Sequence, residues 1–161
     1  MDRLLISMLI CLVLVGCQST SDKVVPLPQI CVAKQGDVRP DFTESLMAGL
    51  KFRQIILTPV SEEVGCEWLL TYGASWAWPH SAYMQSAQLT FSRHNLTLSQ
   101  QAYPSAGGGL IAQPDDWISA WIESGICENP EYLSAIEEAV ISRPWFDLLP
   151  RESLPCPAHH L

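Results

Sequence analysis

Residues 4–15 read LLISMLICLVLV, apolar throughout but for Ser7, and the run stops at Gly16-Cys17 before the polar stretch QSTSDK. This stop constrains the fold more than any other feature, because it decides which residues take part. A membrane-spanning helix needs about 20 apolar residues. The run is shorter, and matches the roughly 7–15 residues of a signal-peptide core. Arg3 gives a thin positive flank, which Asp2 weakens. Residues 1–16 are therefore expected to be a cleaved signal peptide. The remaining 145 of the 161 residues are enough for one domain with a real core, folded in a compartment that permits disulfides.

Leu14-Val15-Gly16-Cys17 resembles the lipobox of bacterial lipoprotein precursors: a branched apolar residue, a small or branched one, a small one, then Cys. The resemblance implies cleavage before Cys17, a diacylglyceryl group on its sulfur and a third, palmitate-type acyl chain on its new amino group. Two or more chains hold a protein stably on a bilayer, whereas one binds only marginally. Gln18 rather than Asp follows the cysteine. Among Gram-negative lipoproteins this implies sorting to the outer membrane, facing the periplasm. The competing reading is an ordinary signal peptide with an incidental cysteine.

Of the six cysteines, Cys11 leaves with the signal and Cys17 is the lipidation candidate. Cys31, Cys66, Cys127 and Cys156 remain, an even number in an exported chain, which points to disulfides. Three pairings are open. Sequence order favours Cys31–Cys66 and Cys127–Cys156, closing loops of about 36 and 30 residues at roughly 3–4 kcal/mol each. Free buried thiols are the alternative; zinc is disfavoured because no C-x-x-C pair exists.

Charge is unevenly spread. Residues 17–112 carry six basic and seven acidic residues, whereas residues 113–161 carry two basic and nine acidic. The acidic last third argues against nucleic acid or anionic lipid as a partner and suits a basic one; a solvated helix face explains it equally.

Residues 17–29 hold Pro26 and Pro28 and suit a flexible tether. Ile30–Ala33 is a strand candidate. Pro40 can open a helix with Phe42, Leu46 and Leu50 on one face, and Gly49 is expected to end or loosen it. A strand follows over 52–58, and a longer one runs from Cys66 to Trp78 with Trp68, Leu70, Tyr72 and Ala74 on one side. Residues 83–93 alternate, with Tyr83, Ala87, Leu89 and Phe91 on one side and Gln85 interrupting. His94-Asn95 makes the turn into a returning strand that ends near Tyr103. Pro114 opens a helix with Asp115 and Asp116 in its first turn, and Gly125 is expected to stop it. Asn129-Pro130-Glu131 starts another, with Leu133, Ile136, Ala139 and Val140 as its buried stripe.

The pattern predicts an α+β fold: a small mixed or antiparallel sheet of about five strands with helices packed on one face. Residues 30–161 form one domain, with 113–161 its helical, acidic part.

Cys31-Val32, Cys66, Leu70-Thr71-Tyr72, Trp76 to Trp78, Tyr83 and Ala102-Tyr103 together resemble a sparse pattern in small proteobacterial lipoproteins of unknown function. The resemblance covers roughly residues 14–104 and implies no catalytic residues. Residues 113–161 depart from it.

The search for chemistry is short. His80, His94, His159 and His160 lack ligand spacing, and no G-x-S-x-G elbow is present. Glu62/Glu63 and Asp115/Asp116 read as turn and helix-start acids. Trp76, Trp78 and Tyr83 form a candidate binding surface, with core packing as the competing explanation. No catalytic residue, metal or cofactor is assigned. The reading is a non-enzymatic, lipid-anchored interaction module that contacts an envelope protein or the cell wall. The alternative is a periplasmic inhibitor or immunity protein against a basic hydrolase.

Overall fold

The computed structural model describes residues 24–59, 65–77, 84–103, 115–143 and 154–156. The elements are β1 (Gln29–Lys34), α1 (Pro40–Phe52), β2 (Ile56–Pro59), β3 (Trp68–Trp76), β4 (Met84–Arg93), β5 (Leu96–Tyr103), α2 (Asp115–Trp121) with a π-helical continuation (Ile122–Cys127), and α3 (Pro130–Ile141). The five strands form one mixed sheet in the order β2-β1-β3-β4-β5. β1 runs parallel to both β2 and β3; β3, β4 and β5 are antiparallel. The chain is an α+β domain, as its alternating and helical segments predict.

Alternation decides which face is covered. Ile30, Trp68, Leu70, Tyr72, Leu89 and Phe91 share one face by register and are buried. Between them lie Ala33, Thr71 and Thr90, in register on the opposite face and half-buried. Period two thus separates core from solvent. The helices contribute Phe42, Leu46, Leu50, Ile118, Trp121, Ile122, Tyr132 and Ile136 to the same cluster.

Two irregularities adjust the pattern. The β3–β4 register shifts at Ser75/Trp76, so Ser75 faces Ser86 while Trp76 faces Met84. Gln85, which interrupts the alternation in sequence, is the extra, exposed residue of this bulge, and Met84 drops back onto the core face. At the other end Arg93 pairs with Leu96 across His94 (φ 46°) and Asn95 (φ 68°). Two successive positive φ values are what a tight hairpin turn needs, and Asn tolerates them.

Gly49, expected to end or loosen its helix, and Gly125, expected to stop the next, both lie inside helical segments. α1 continues past Gly49 to Phe52, because a Cβ there would stand 2.8 Å from Ile122 Cδ1. Gly49 is where the α2 segment comes close. The strand expected over 52–58 consequently begins only at Ile56, after Gln54 turns the chain at φ 57°. Gly125 sits within the π-helical turn closed by Glu128 N–H donating to Glu123 O at 2.8 Å. A Cβ on it would lie 2.9 Å from both Ser99 Oγ on β5 and the Trp121 ring. The extra residue of the π-turn lets Ile122, Ile126 and Cys127 all face inward.

α3 opens as its sequence predicts. Asn129 Oδ1 accepts from Glu131 N–H at 3.1 Å and Tyr132 N–H at 3.2 Å, satisfying two first-turn donors. Its buried stripe is Tyr132, Ile136, Ala139 and Val140; Leu133 is only half-buried. Tyr132 is fully buried, edge-on to Trp68 at 5.2 Å and to Phe91 at 5.6 Å, and thereby keys the helix to the sheet.

The disulfides are Cys31–Cys66 and Cys127–Cys156, with Cα atoms 6.0 and 5.2 Å apart. The second brings Leu154 and Cys156 into the core, where Cys156 N–H donates to Arg53 O at 2.7 Å. Part of the segment expected as a tether lies on the domain: Leu27 packs against the core and Val25 N–H donates to Ser142 Oγ at 3.0 Å.

Candidate functional site

A concavity opens where β1 and β3 begin. It measures about 600 Å³. Its walls are the Val25–Gln29 segment, the Cys31–Cys66 disulfide, Glu67 and Trp68, Arg93 at the end of β4, and Ala135 and Glu138 on α3.

Its polar geometry follows from register. Trp68 opens β3 opposite Arg93, which closes β4. That pairing lays the Arg93 guanidinium 4.7 Å from the Trp68 ring centroid. Glu67, one residue upstream, accepts from Arg93 Nε at 3.0 Å and from a terminal nitrogen at 2.7 Å. Glu131, in the first turn of α3, stands 3.7 Å from the other terminal nitrogen. One guanidinium thus serves two carboxylates and an aromatic face. These groups are part-exposed, and such pairs add about 0–1 kcal/mol to stability. They fix orientation more than they stabilise. Glu138 stands apart: among the described residues it makes no ion pair, and it lines the groove beside Val25, Pro26 and Leu27.

Glu67–Arg93 was hidden in the sequence because it depends on the β3–β4 register. The available signal was an acid before one strand and a base after its hairpin partner.

Of the candidate surface Trp76, Trp78 and Tyr83, only Trp76 lies within the described residues. It is half-buried and edge-on to Phe42 at 6.2 Å, with the Arg39 guanidinium 4.9 Å above its ring. Arg39 is itself paired with Asp41. Packing against α1 therefore takes up part of Trp76. Trp78, Tyr83, His80, His159, His160 and the lipidation candidate Cys17 lie outside the described residues. His94 is exposed in the hairpin turn, 3.8 Å from Glu67.

Tyr132 is the buried titratable group near this end of the sheet. Burial pushes its hydroxyl well above the ordinary tyrosine range, so it stays neutral at physiological pH, and it has no hydrogen-bond partner among the described residues. Among the described residues, no three His, Cys, Asp or Glu side chains gather in metal-binding geometry, and no helix is long and apolar enough to cross a membrane.

No protein-family model matches the sequence, and no curated protein matches it. The likeness to small proteobacterial lipoproteins rests on the residues quoted for it.

Proposed function

We propose that the protein is a lipid-anchored lipoprotein of the bacterial cell envelope, attached through Cys17 to the outer membrane and facing the periplasm. There it acts by binding an envelope protein or the cell wall rather than by catalysis. The observation that carries this reading is the allocation of cysteines. Four of the six are used in two disulfides. Paired structural disulfides belong to oxidising compartments, which a chain reaches by export. The apolar run Leu4–Val15 supplies an export signal, and it ends at Gly16-Cys17. Metabolic labelling with an alkyne analogue of palmitate tests it. The wild-type chain takes up label and sediments with membranes. Cys17→Ser abolishes labelling and releases the chain. A wild-type chain that stays unlabelled would sink the reading.

A second reading has its own support. Among the described residues the groove holds Glu67 and Glu138 against Arg93, with Glu131 also on that arginine. This favours a basic partner, and with it an inhibitor or immunity protein against a basic hydrolase. Titration of the purified protein into assays of cationic wall hydrolases tests it. Dose-dependent inhibition at micromolar protein supports it; unchanged rates count against it.

A further inference from the structure

We propose that the groove between the Val25–Pro28 segment, the Cys31–Cys66 disulfide and α3 receives a lysine- or arginine-rich segment of a partner protein. This rests on the reading of the protein as a binding module and names the chemistry of what it binds.

Three observations meet there. The first is charge. Among the described residues the groove is lined by two acids, Glu67 and Glu138, and one cation, Arg93, which is already committed to Glu67 and to Glu131 just outside the lining. The described lining therefore carries surplus negative charge, and Glu138 is left to face a cation from outside. The second is the wall. Val25, Pro26, Leu27 and Ala135 line the groove beside Glu138. A long basic side chain lays its alkyl stem on apolar surface and keeps its charged head at a carboxylate, which matches this placement. The third is an internal precedent. Arg93 is held in this groove by a carboxylate on its fork and the Trp68 ring under its plane. Glu138, one helix turn along α3 from Ala135, adds a second carboxylate to the same groove, and among the described residues it makes no ion pair. An acidic segment would meet like charge at Glu67 and Glu138, and a neutral one would offer Glu138 no counter-charge.

The test uses the full lipidated protein in non-ionic detergent and fluorescence anisotropy of a labelled peptide of alternating Lys and Ser. A peptide with Glu in place of Lys is the control. The expected result is saturable binding of the basic peptide alone, weakened by salt. Glu138→Gln weakens it about two- to five-fold, the scale of one part-exposed ion pair. Glu137→Gln, exposed on the same helix but outside the groove, leaves it unchanged and controls for net charge. A photoreactive group on the peptide crosslinks to residues 25–29 or 65–67, which locates the site without any variant. Absence of saturable binding, equal weakening by both substitutions, or crosslinks elsewhere would overturn the proposal. If Cys17 carries lipid but the peptide does not bind, the groove assignment alone falls. If the peptide binds a chain whose Cys17 is bare, the anchor falls and the groove stands.

Discussion

The two disulfides close loops of similar length, with sequence separations of 35 and 29, yet they hold different kinds of structure. Cys31–Cys66 joins β1 to the approach of β3, and these strands are already paired over five register positions from Ile30 to Lys34. Cys127–Cys156 joins the π-helical turn to residues 154–156, which belong to no helix or strand. Chain entropy assigns the two bonds nearly equal worth, roughly 3–4 kcal/mol each. What differs is the native state left behind. The first reinforces an interface that backbone hydrogen bonds already define. The second supplies a link that, among the described residues, the backbone provides only through Cys156 N–H to Arg53 O. A crosslink between paired strands adds stability; a crosslink to an irregular segment also decides whether that segment is placed.

The largest expected effect is at the joint between the two regions. Tyr132→Ala removes the ring that packs edge-on against the stacked Trp68 and Phe91, and should cost about 3–5 kcal/mol in denaturant unfolding. A loss below about 1 kcal/mol would mean that the helical third is not keyed to the sheet there.

Next come the disulfides themselves. Cys31→Ser/Cys66→Ser and Cys127→Ser/Cys156→Ser should each lower stability by roughly 3 kcal/mol. Hydrogen exchange separates them. The first pair of substitutions leaves the β1 and β3 amides protected. The second abolishes protection of the Cys156 amide and opens the C-terminal segment to proteases. Equal loss of protection in both variants would erase the distinction.

Gly125→Ala sharpens the account of the π-helical turn. Its methyl would meet Ser99 and the Trp121 ring, and should cost about 1–3 kcal/mol. The same substitution at Gly36 meets nothing within 4 Å, and its penalty comes from a φ of 73° alone. Smaller again, Asn129→Ala should cost about 1 kcal/mol by removing the cap of α3. The smallest effect carries the most informative sign. Tyr132→Phe deletes a buried hydroxyl that has no hydrogen-bond partner among the described residues, and should be neutral or stabilising by up to about 1 kcal/mol, read as a midpoint shift in urea.

Sequence periodicity carried the sheet well where one face is covered and the other open. Trp68, Leu70 and Tyr72 alternate with Leu69 and Thr71, and the structure buries the first set. The hairpin turn was legible in His94-Asn95, and the cap of α3 in Asn129, because both depend on neighbours in sequence. The disulfide order followed from proximity along the chain. What escaped was tertiary. Gly49 and Gly125 look like helix ends by propensity, but their lack of a side chain serves contacts with Ile122 and Ser99. Tyr132 carries a polar hydroxyl and sits beside Leu133, so a stripe drawn from apolar residues picks the wrong neighbour. The carboxylates of the groove come from Glu67 and Glu138, which register and helix docking bring to one place, with Glu131 reaching Arg93 from the first turn of α3.

The central claim is that export, lipidation at Cys17 and pairing of the four remaining cysteines belong to one molecule. Intact mass spectrometry of the membrane-extracted protein, after alkylation without reduction, tests all three at once. The account predicts a chain lacking residues 1–16, heavier by a diacylglyceryl group and an acyl chain, with no alkylated cysteine. A mass equal to the unmodified chain, or alkylation of Cys31, Cys66, Cys127 or Cys156, would contradict it.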